Sequence, residues 1–401
     1  MTKKSDKQQI IVLGAGYGGL LAALRLAPHA RVTLVDPSDH FAERVRQHEL
    51  VARPARTGRP LASLLRGTGV RHVARRVAAL DPLARQIVTD DGQRLDYDRL
   101  VYALGSRTAV PQPAHPAPAV PRHPAAPPVG ERPAPLETAE PSPVSEPSAA
   151  RVFTAETAAA LRTLTHERTG ALTVVGGGLT GIELAAELAE SRPEWDVRLL
   201  TAGELAAGHS LRGRNHVRGA LTALGVRIEE GRTVTDPSDV DADAVVWAAA
   251  MVPNTAVAAD AGLALDAATG RVEVDASLRS ISHPEIYAVG DAAAARSSRA
   301  GSLRMGCAAA LPTGSHAATA IIAELRNREP ERLDFGYLLQ CVSLGRHDGL
   351  VQFVDHDDSP RDRVLTGRPA AWTKERIVRS TVQVMGLARR VPDAVGRLPG
   401  F

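Results

Sequence analysis

Cysteine is almost missing from this chain. Its 401 residues hold two, Cys307 and Cys341, in neither a metal-type nor a C-x-x-C spacing. A disulfide framework therefore has no support, and a reducing cytoplasm is the expected setting. Aromatic residues make up only 3%, so the core has to be built from Ala, Val and Leu. Long apolar runs are absent too: no stretch approaches the ~20 residues that span a bilayer. The polar arm Met1–Gln9 leads into an apolar run that glycine interrupts within four residues, which excludes a signal peptide. Charge is nearly balanced at +3 without a dense Lys/Arg block, so a nucleic-acid partner is not expected. The thirteen histidines show no H-x3-H or H-E-x-x-H spacing, and no metal site is expected.

What the chain does have is glycine in pattern. Ile10 to Leu13 is a short run rich in β-branched residues, the signature of a buried strand. Gly14, Gly16 and Gly19 follow as G-x-G-x-x-G and open the apolar helix Leu20 to Leu26. In such a turn the first glycine permits the tight bend, the second lets backbone approach a pyrophosphate, and the third lets helix pack on strand. The helix N-terminus adds free N–H groups and a positive dipole end. A second strand, Arg31 to Val35, ends in Asp36, where an acid accepts hydrogen bonds from a ribose. The whole unit recurs: Ala171 to Val175 is a strand, and Gly176, Gly178 and Gly181 repeat the spacing before a helix. In this copy Thr201 stands where the acid is expected, so the usual cue for NADH over NADPH is missing; Arg198 and Arg212 are candidate 2′-phosphate contacts.

Between the repeats the composition changes. Thirteen of the 28 prolines fall in residues 110 to 150, with no Phe, Trp or Tyr. Such a segment cannot bury enough apolar surface to offset its ordering entropy, and an exposed loop or tether is expected. Further on, Arg271 to Val274 reads as a strand. Ile286 to Ala292 (IYAVGDA) places Gly290 and Asp291 just past another buried strand, where ligands meet an open α/β sheet. A helix is predicted over Leu311 to Leu325, its start disturbed by Pro312 and Gly314. Strands are predicted over Phe335 to Leu344 and Leu350 to Val354. From Pro360 the tail carries nine Arg or Lys against three acids.

The paired fingerprints, the strand ending Ala103-Leu104-Gly105-Ser106, the Met251 to Thr255 segment and above all IYAVGDAA resemble the two-dinucleotide-binding-domain flavoprotein oxidoreductases, and within them the type II NADH dehydrogenase and ferroptosis-suppressor branch. The resemblance implies an α/β fold with two Rossmann-like domains, the second inserted in the first, and a small C-terminal α+β region. An FAD domain is expected over 8–109 and 271–330, a Pro-rich loop over 110–150, an NAD(P)H domain over 151–270, and a C-terminal region over 331–401. It implies that Gly14, Gly16 and Gly19 face the pyrophosphate of FAD, Asp36 its adenosine ribose and Asp291 its ribityl–pyrophosphate region. Arg44, Gly105 and Gly290 join this set of expected cofactor contacts. Gly176, Gly178 and Gly181 would hold NADH or NADPH. Glu183 sits where related enzymes place a glutamate near the nicotinamide; a first-turn acid favoured by the helix dipole is the alternative.

Departures from the family matter as well. Asp39 to Leu50 contains no cysteine, which excludes the C-x4-C thiol relay of the disulfide reductases. Met305 to His316 lacks the glutamines that line the quinone site of type II NADH dehydrogenases. His316, His40 and His48 are candidate proton donors on the acceptor side of the flavin, and His316 and Glu183 are the candidate catalytic residues. The expected activity is hydride transfer from NAD(P)H to flavin and two-electron transfer to a quinone-like or other small organic acceptor. A tailoring flavoenzyme acting on a small metabolite and a flavin redox sensor are the alternatives. The apolar residues Ile377, Val378, Val382, Val384, Met385 and Leu387 form either a peripheral membrane-contact helix on the inner face of the membrane or a face packed on the protein's own core. A homodimer is the candidate assembly.

Overall fold

The computed structural model describes residues 7–52, 58–111 and 151–396. The Pro-rich segment lies, past residue 111, outside the described residues. From the N-terminus, β1 (Gln9–Leu13) enters the first glycine turn and α1 (Tyr17–Leu26) leaves it; β2 (Arg31–Val35), β3 (Arg71–Val73) and β4 (Arg99–Tyr102) follow. The second half begins with β5 (Arg151–Phe153), α2 (Ala158–Glu167), β6 (Ala171–Val175) and α3 (Leu179–Ser191). It continues through β7 (Asp196–Thr201), α4 (Leu211–Ala223), β8 (Arg227–Glu230) and β9 (Ala244–Trp247). The chain then returns with β10 (Ile286–Ala288) and α5 (Cys307–Leu325), and ends in β11 (Leu339–Ser343), β12 (Gly349–Val354), β13 (Pro360–Thr366) and α6 (Gly367–Arg390).

Two five-stranded sheets result, ordered β10-β4-β1-β2-β3 and β5-β9-β6-β7-β8, and every pairing in both is parallel. Parallel sheets are covered on both faces, which is why their central strands are continuous apolar runs; Ile10, Ile11, Val12 and Leu13 are fully buried. The first sheet takes its last strand from beyond residue 285, so the second unit is inserted into the first. An antiparallel ribbon, Ser106–Thr108 against Met251–Pro253, marks the crossing between them.

The C-terminal region joins the two cores. β11, β12 and β13 form an antiparallel meander. Val342, Leu344 and Leu350 from it enter the core of the second unit. On α6, Val382, Met385 and Ala388 enter the core of the first. The apolar face read from the tail is thus spent largely on the protein's own interior, with α6 against α1. Among the described residues no helix is long and apolar enough to cross a membrane.

Three local expectations are corrected. Arg271 to Val274 forms isolated bridges, Val272 with Leu265 and Ala293 and Val274 with Ser280, instead of a strand. The strand predicted from Phe335 begins only at Leu339. And α5 starts at Cys307, four residues before the predicted start, and contains Pro312. Proline there removes one N–H from the first turns of the helix. The adjoining small residues are required by the crossing with α1: a Cβ on Gly314 would lie 2.2 Å from the Gly18 carbonyl oxygen.

Candidate cofactor and active site

The two glycine turns are built alike. At Gly14 (φ +97°) a Cβ would meet the Ala103 carbonyl oxygen at 2.4 Å, and at Gly19 it would meet that of Gly14 at 2.0 Å. At Gly16, which is exposed, a Cβ would find nothing within 4 Å. The second turn repeats this: Gly176 (φ +128°) is crowded by Ala248 at 2.9 Å, Gly181 by the Gly176 oxygen at 1.9 Å, and exposed Gly178 faces open space. The outer glycines are therefore demanded by packing. The middle ones leave a gap at the N-termini of α1 and α3, the space that a pyrophosphate fills. This cradle fits a dinucleotide in each unit.

Asp36 ends β2 beside the first turn. Its carboxylate accepts the N–H of Ala15 at 2.7 Å and that of Ser38 at 2.8 Å. In the second unit the equivalent place is taken by buried Thr201, whose Oγ1 would lie 2.5 Å from a Cβ on Gly177. Arg198 is directed elsewhere, to the Asp241 carbonyl oxygen. Arg212 is exposed on α4.

The far end of the first site is assembled from distant segments. Asp291, in a single 3-10 turn after β10, accepts the Ser106 hydroxyl at 2.6 Å and the Gly306 N–H at 2.7 Å. Gly290 (φ +64°) donates its N–H to Thr313 Oγ1 at 3.0 Å, tying the turn to α5. Arg44 donates to the Ser106 carbonyl oxygen at 2.7 Å and to Glu156 at 3.2 Å, and a Cβ on Gly105 (φ +66°) would lie 3.8 Å from its guanidinium. Arg44, Gly105, Gly290 and Asp291 are thus brought together, with Ser106, Gly306 and Thr313 as partners that sequence reading did not single out. Ser106 was visible in the ALGS strand end; nothing local marked Gly306 or Thr313.

Glu183 forms a second centre. It lies on α3 one turn beyond Gly178 and is mostly buried. Its carboxylate accepts the Ser343 N–H at 3.0 Å, faces His48 Nδ1 at 3.3 Å and pairs with Lys374 of α6. Burial is the largest influence on Lys374 and pushes its pKa down to about 7; Glu49 and Glu375 pull it up, Arg46 pushes it down. The other histidines are not brought here. His316 hydrogen-bonds the Glu331 carbonyl oxygen at 3.1 Å, nine residues into α5, and burial pushes its pKa down. His40 is exposed beside Asp39. Both cysteines are free thiols whose pKa values are raised by burial, that of Cys341 to about 12, and a thiol at such a pKa is a poor nucleophile.

Comparison with known proteins agrees with this architecture. Residues 8–318 match the family model described as pyridine nucleotide-disulphide oxidoreductase. An NADH dehydrogenase-like protein of Mycobacterium tuberculosis is 28% identical over 403 residues, covering 92% of each chain. Demethylphylloquinone reductase NdbB of Synechocystis sp. is 26% identical over 320 residues, covering 72% of this chain and 73% of that protein. The crystal structure of sulfide:quinone oxidoreductase from Aquifex aeolicus shares the fold with a TM-score of 0.68 at 16% identity, covering 96% of this chain and 92% of that one. The chain belongs to the pyridine nucleotide-disulphide oxidoreductase family and is an FAD- and NAD(P)H-dependent oxidoreductase.

Proposed function

We propose that this chain carries two electrons from NAD(P)H to a quinone-like small organic acceptor, with residues 8–109 and 271–330 holding FAD and 151–270 holding the nicotinamide dinucleotide. The observation that carries this reading is the repeated cradle: two turns with packed outer glycines and an open middle one, set at matching positions of two sheets whose strands β4-β1-β2-β3 and β9-β6-β7-β8 run in the same order. Bound FAD supplies the relay between donor and acceptor. The protein's part is to bind and orient. The α1 N-terminus and Gly16 receive one pyrophosphate, Asp36 the ribose next to it, and the Asp291–Ser106 pair with Arg44 the other end of the same cofactor. Gly178 and the α3 N-terminus receive the second pyrophosphate.

Glu183, held by Ser343, His48 and Lys374, is the charged group on the nicotinamide side, and its partners fix its orientation. His316, engaged with Glu331, has no part in this arrangement. With no C-x4-C pair and both thiols held protonated by burial, cysteine chemistry is not needed. Two relatives are named for quinone substrates, the reductase of Synechocystis and the sulfide:quinone enzyme of Aquifex, which supports an acceptor of that class. The test is steady-state NADH and NADPH oxidation with soluble quinones. Rapid reduction of a quinone is expected; oxidation that proceeds only with other acceptors would contradict this reading.

A further inference from the structure

A cleft of about 620 Å3 opens between the 3-10 helix Arg44–Val51, the turn from β11 to β12 and the first half of α6. Its lining includes Ser343, His48 and Lys374, the three residues that hold Glu183. Its other walls are unusually rich in charge, and the charges do not cancel. Arg46 pairs with Glu49 at 2.8 Å and Glu375 at 3.0 Å, and Arg346 stands 3.7 Å from Glu187. Those three acids are thereby matched, and Arg379 adds a second cation on Glu375. Arg368 and His347 also line the cleft, are exposed, and have no ion pair or hydrogen bond among the described residues. Beside them stands Trp372, 66% exposed, whereas the chain's other tryptophans, Trp195 and Trp247, are buried.

We propose that this cleft receives the electron acceptor and selects a planar one that carries a negative charge, with Trp372 as the stacking surface and Arg368 and His347 as the anion's partners. The inference rests on the reading of the chain as an oxidoreductase with a quinone-like acceptor. The Trp372 ring, approached by the Arg376 guanidinium at 5.7 Å from its centroid, stands next to the unpaired Arg368 guanidinium and the His347 imidazole; this suits an aromatic carboxylate or sulfonate, because stacking, charge attraction and hydrogen bonding then act on one ligand. The nicotinamide dinucleotide is a poorer match for this cleft. Its pyrophosphate belongs at Gly178, whereas the cleft meets α3 at Glu187, one turn beyond Glu183 and about 13 Å along the helix from Gly178 at the usual rise per residue.

The test uses the full-length holoenzyme and two soluble quinones of one ring system, anthraquinone-2-sulfonate and uncharged 2-(hydroxymethyl)anthraquinone. Binding is followed by quenching of tryptophan fluorescence, and Trp372→Phe should remove most of that signal. The sulfonate is expected to bind more tightly than the alcohol. Arg368→Glu, an exposed change that leaves the core untouched, should weaken the sulfonate by roughly fivefold or more and the alcohol by less than about twofold. Rising salt should erode the sulfonate's advantage. Equal binding of the two, or equal loss in Arg368→Glu, overturns the inference. If both quinones are reduced by NADH at similar efficiency without charge preference, the inference falls and the oxidoreductase reading stands. If NADH bleaches the flavin and neither quinone is reduced, the quinone reading itself falls, and the inference with it.

Discussion

Asp291 and Ser106, 185 residues apart in sequence, meet through a 2.6 Å hydrogen bond at the ends of neighbouring strands β10 and β4. The second Asp291 oxygen takes the Gly306 N–H at the start of α5. Removing this carboxylate frees two polar groups at the place assigned to the flavin. Asp291→Ala is expected to weaken FAD binding about five- to 150-fold, in line with about 1–3 kcal/mol for an unsatisfied group. The measurement is flavin per chain after gel filtration. Full retention of flavin would contradict the assignment.

The glycine turns separate folding from binding. Gly16→Val and Gly178→Val enter open space, so both proteins should fold with melting temperatures close to wild type when measured without cofactor. Gly16→Val should lose flavin. Gly178→Val should keep flavin and raise the KM for NAD(P)H by roughly tenfold or more. Gly19→Ala, whose Cβ would lie 2.0 Å from a carbonyl oxygen, should instead destabilise the apoprotein by about 1–3 kcal/mol. Thermal melts and flavin spectra of the three variants distinguish these outcomes.

These turns were also the most legible part of the sequence. A turn, a close approach and a helix contact are local demands, and Gly14, Gly16 and Gly19 record them within six residues. Asp36, at the end of a strand that follows, is legible for the same reason. The partners of Glu183 were not, because Lys374 and Ser343 arrive from the far end of the chain and only the packing of α6 and β11 brings them in. Nor does the sequence show what the candidate histidines touch: His48 faces Glu183, and His316 faces the Glu331 carbonyl oxygen. Pro312 misled about the start of α5, since the close crossing with α1 through Gly18 and Gly314 outweighs one lost hydrogen bond.

Lys374 predicts a pH dependence. Its pKa is pushed from 10.5 down to about 7 in the folded protein. Between those values the unfolded chain holds the extra proton, so this group makes stability rise as pH rises across that window. Below about 7 the penalty is complete, and above 10.5 it is gone. Urea unfolding at several pH values should show this rise in wild type and a smaller one in Lys374→Met. Identical slopes would exclude the lysine as its source.

Glu183→Gln should keep flavin and slow its reduction by NAD(P)H about tenfold, the scale of one hydrogen bond to a charged group. Stopped-flow absorbance under anaerobic conditions reads this step alone. An unchanged rate would leave Glu183 with a purely structural role between α3 and α6.

Met385, 1% exposed in the core shared with α1, tests where the tail belongs. Met385→Ala is expected to cost about 2–4 kcal/mol in urea unfolding. A loss confined to vesicle binding, with stability unchanged, would place this face on a membrane instead.

The proposed assignment gives the first glycine turn to FAD and the second to the nicotinamide dinucleotide. Its most direct test is the visible spectrum of purified, FAD-loaded protein during anaerobic addition of NADH and, separately, NADPH. Wild type should bind FAD and bleach with at least one of the two donors. Gly16→Val should stay colourless, and Gly178→Val should be yellow yet bleach only at much higher donor concentration. Wild-type protein that takes up no FAD, or a Gly178→Val protein that loses flavin while Gly16→Val keeps it, would contradict the claim.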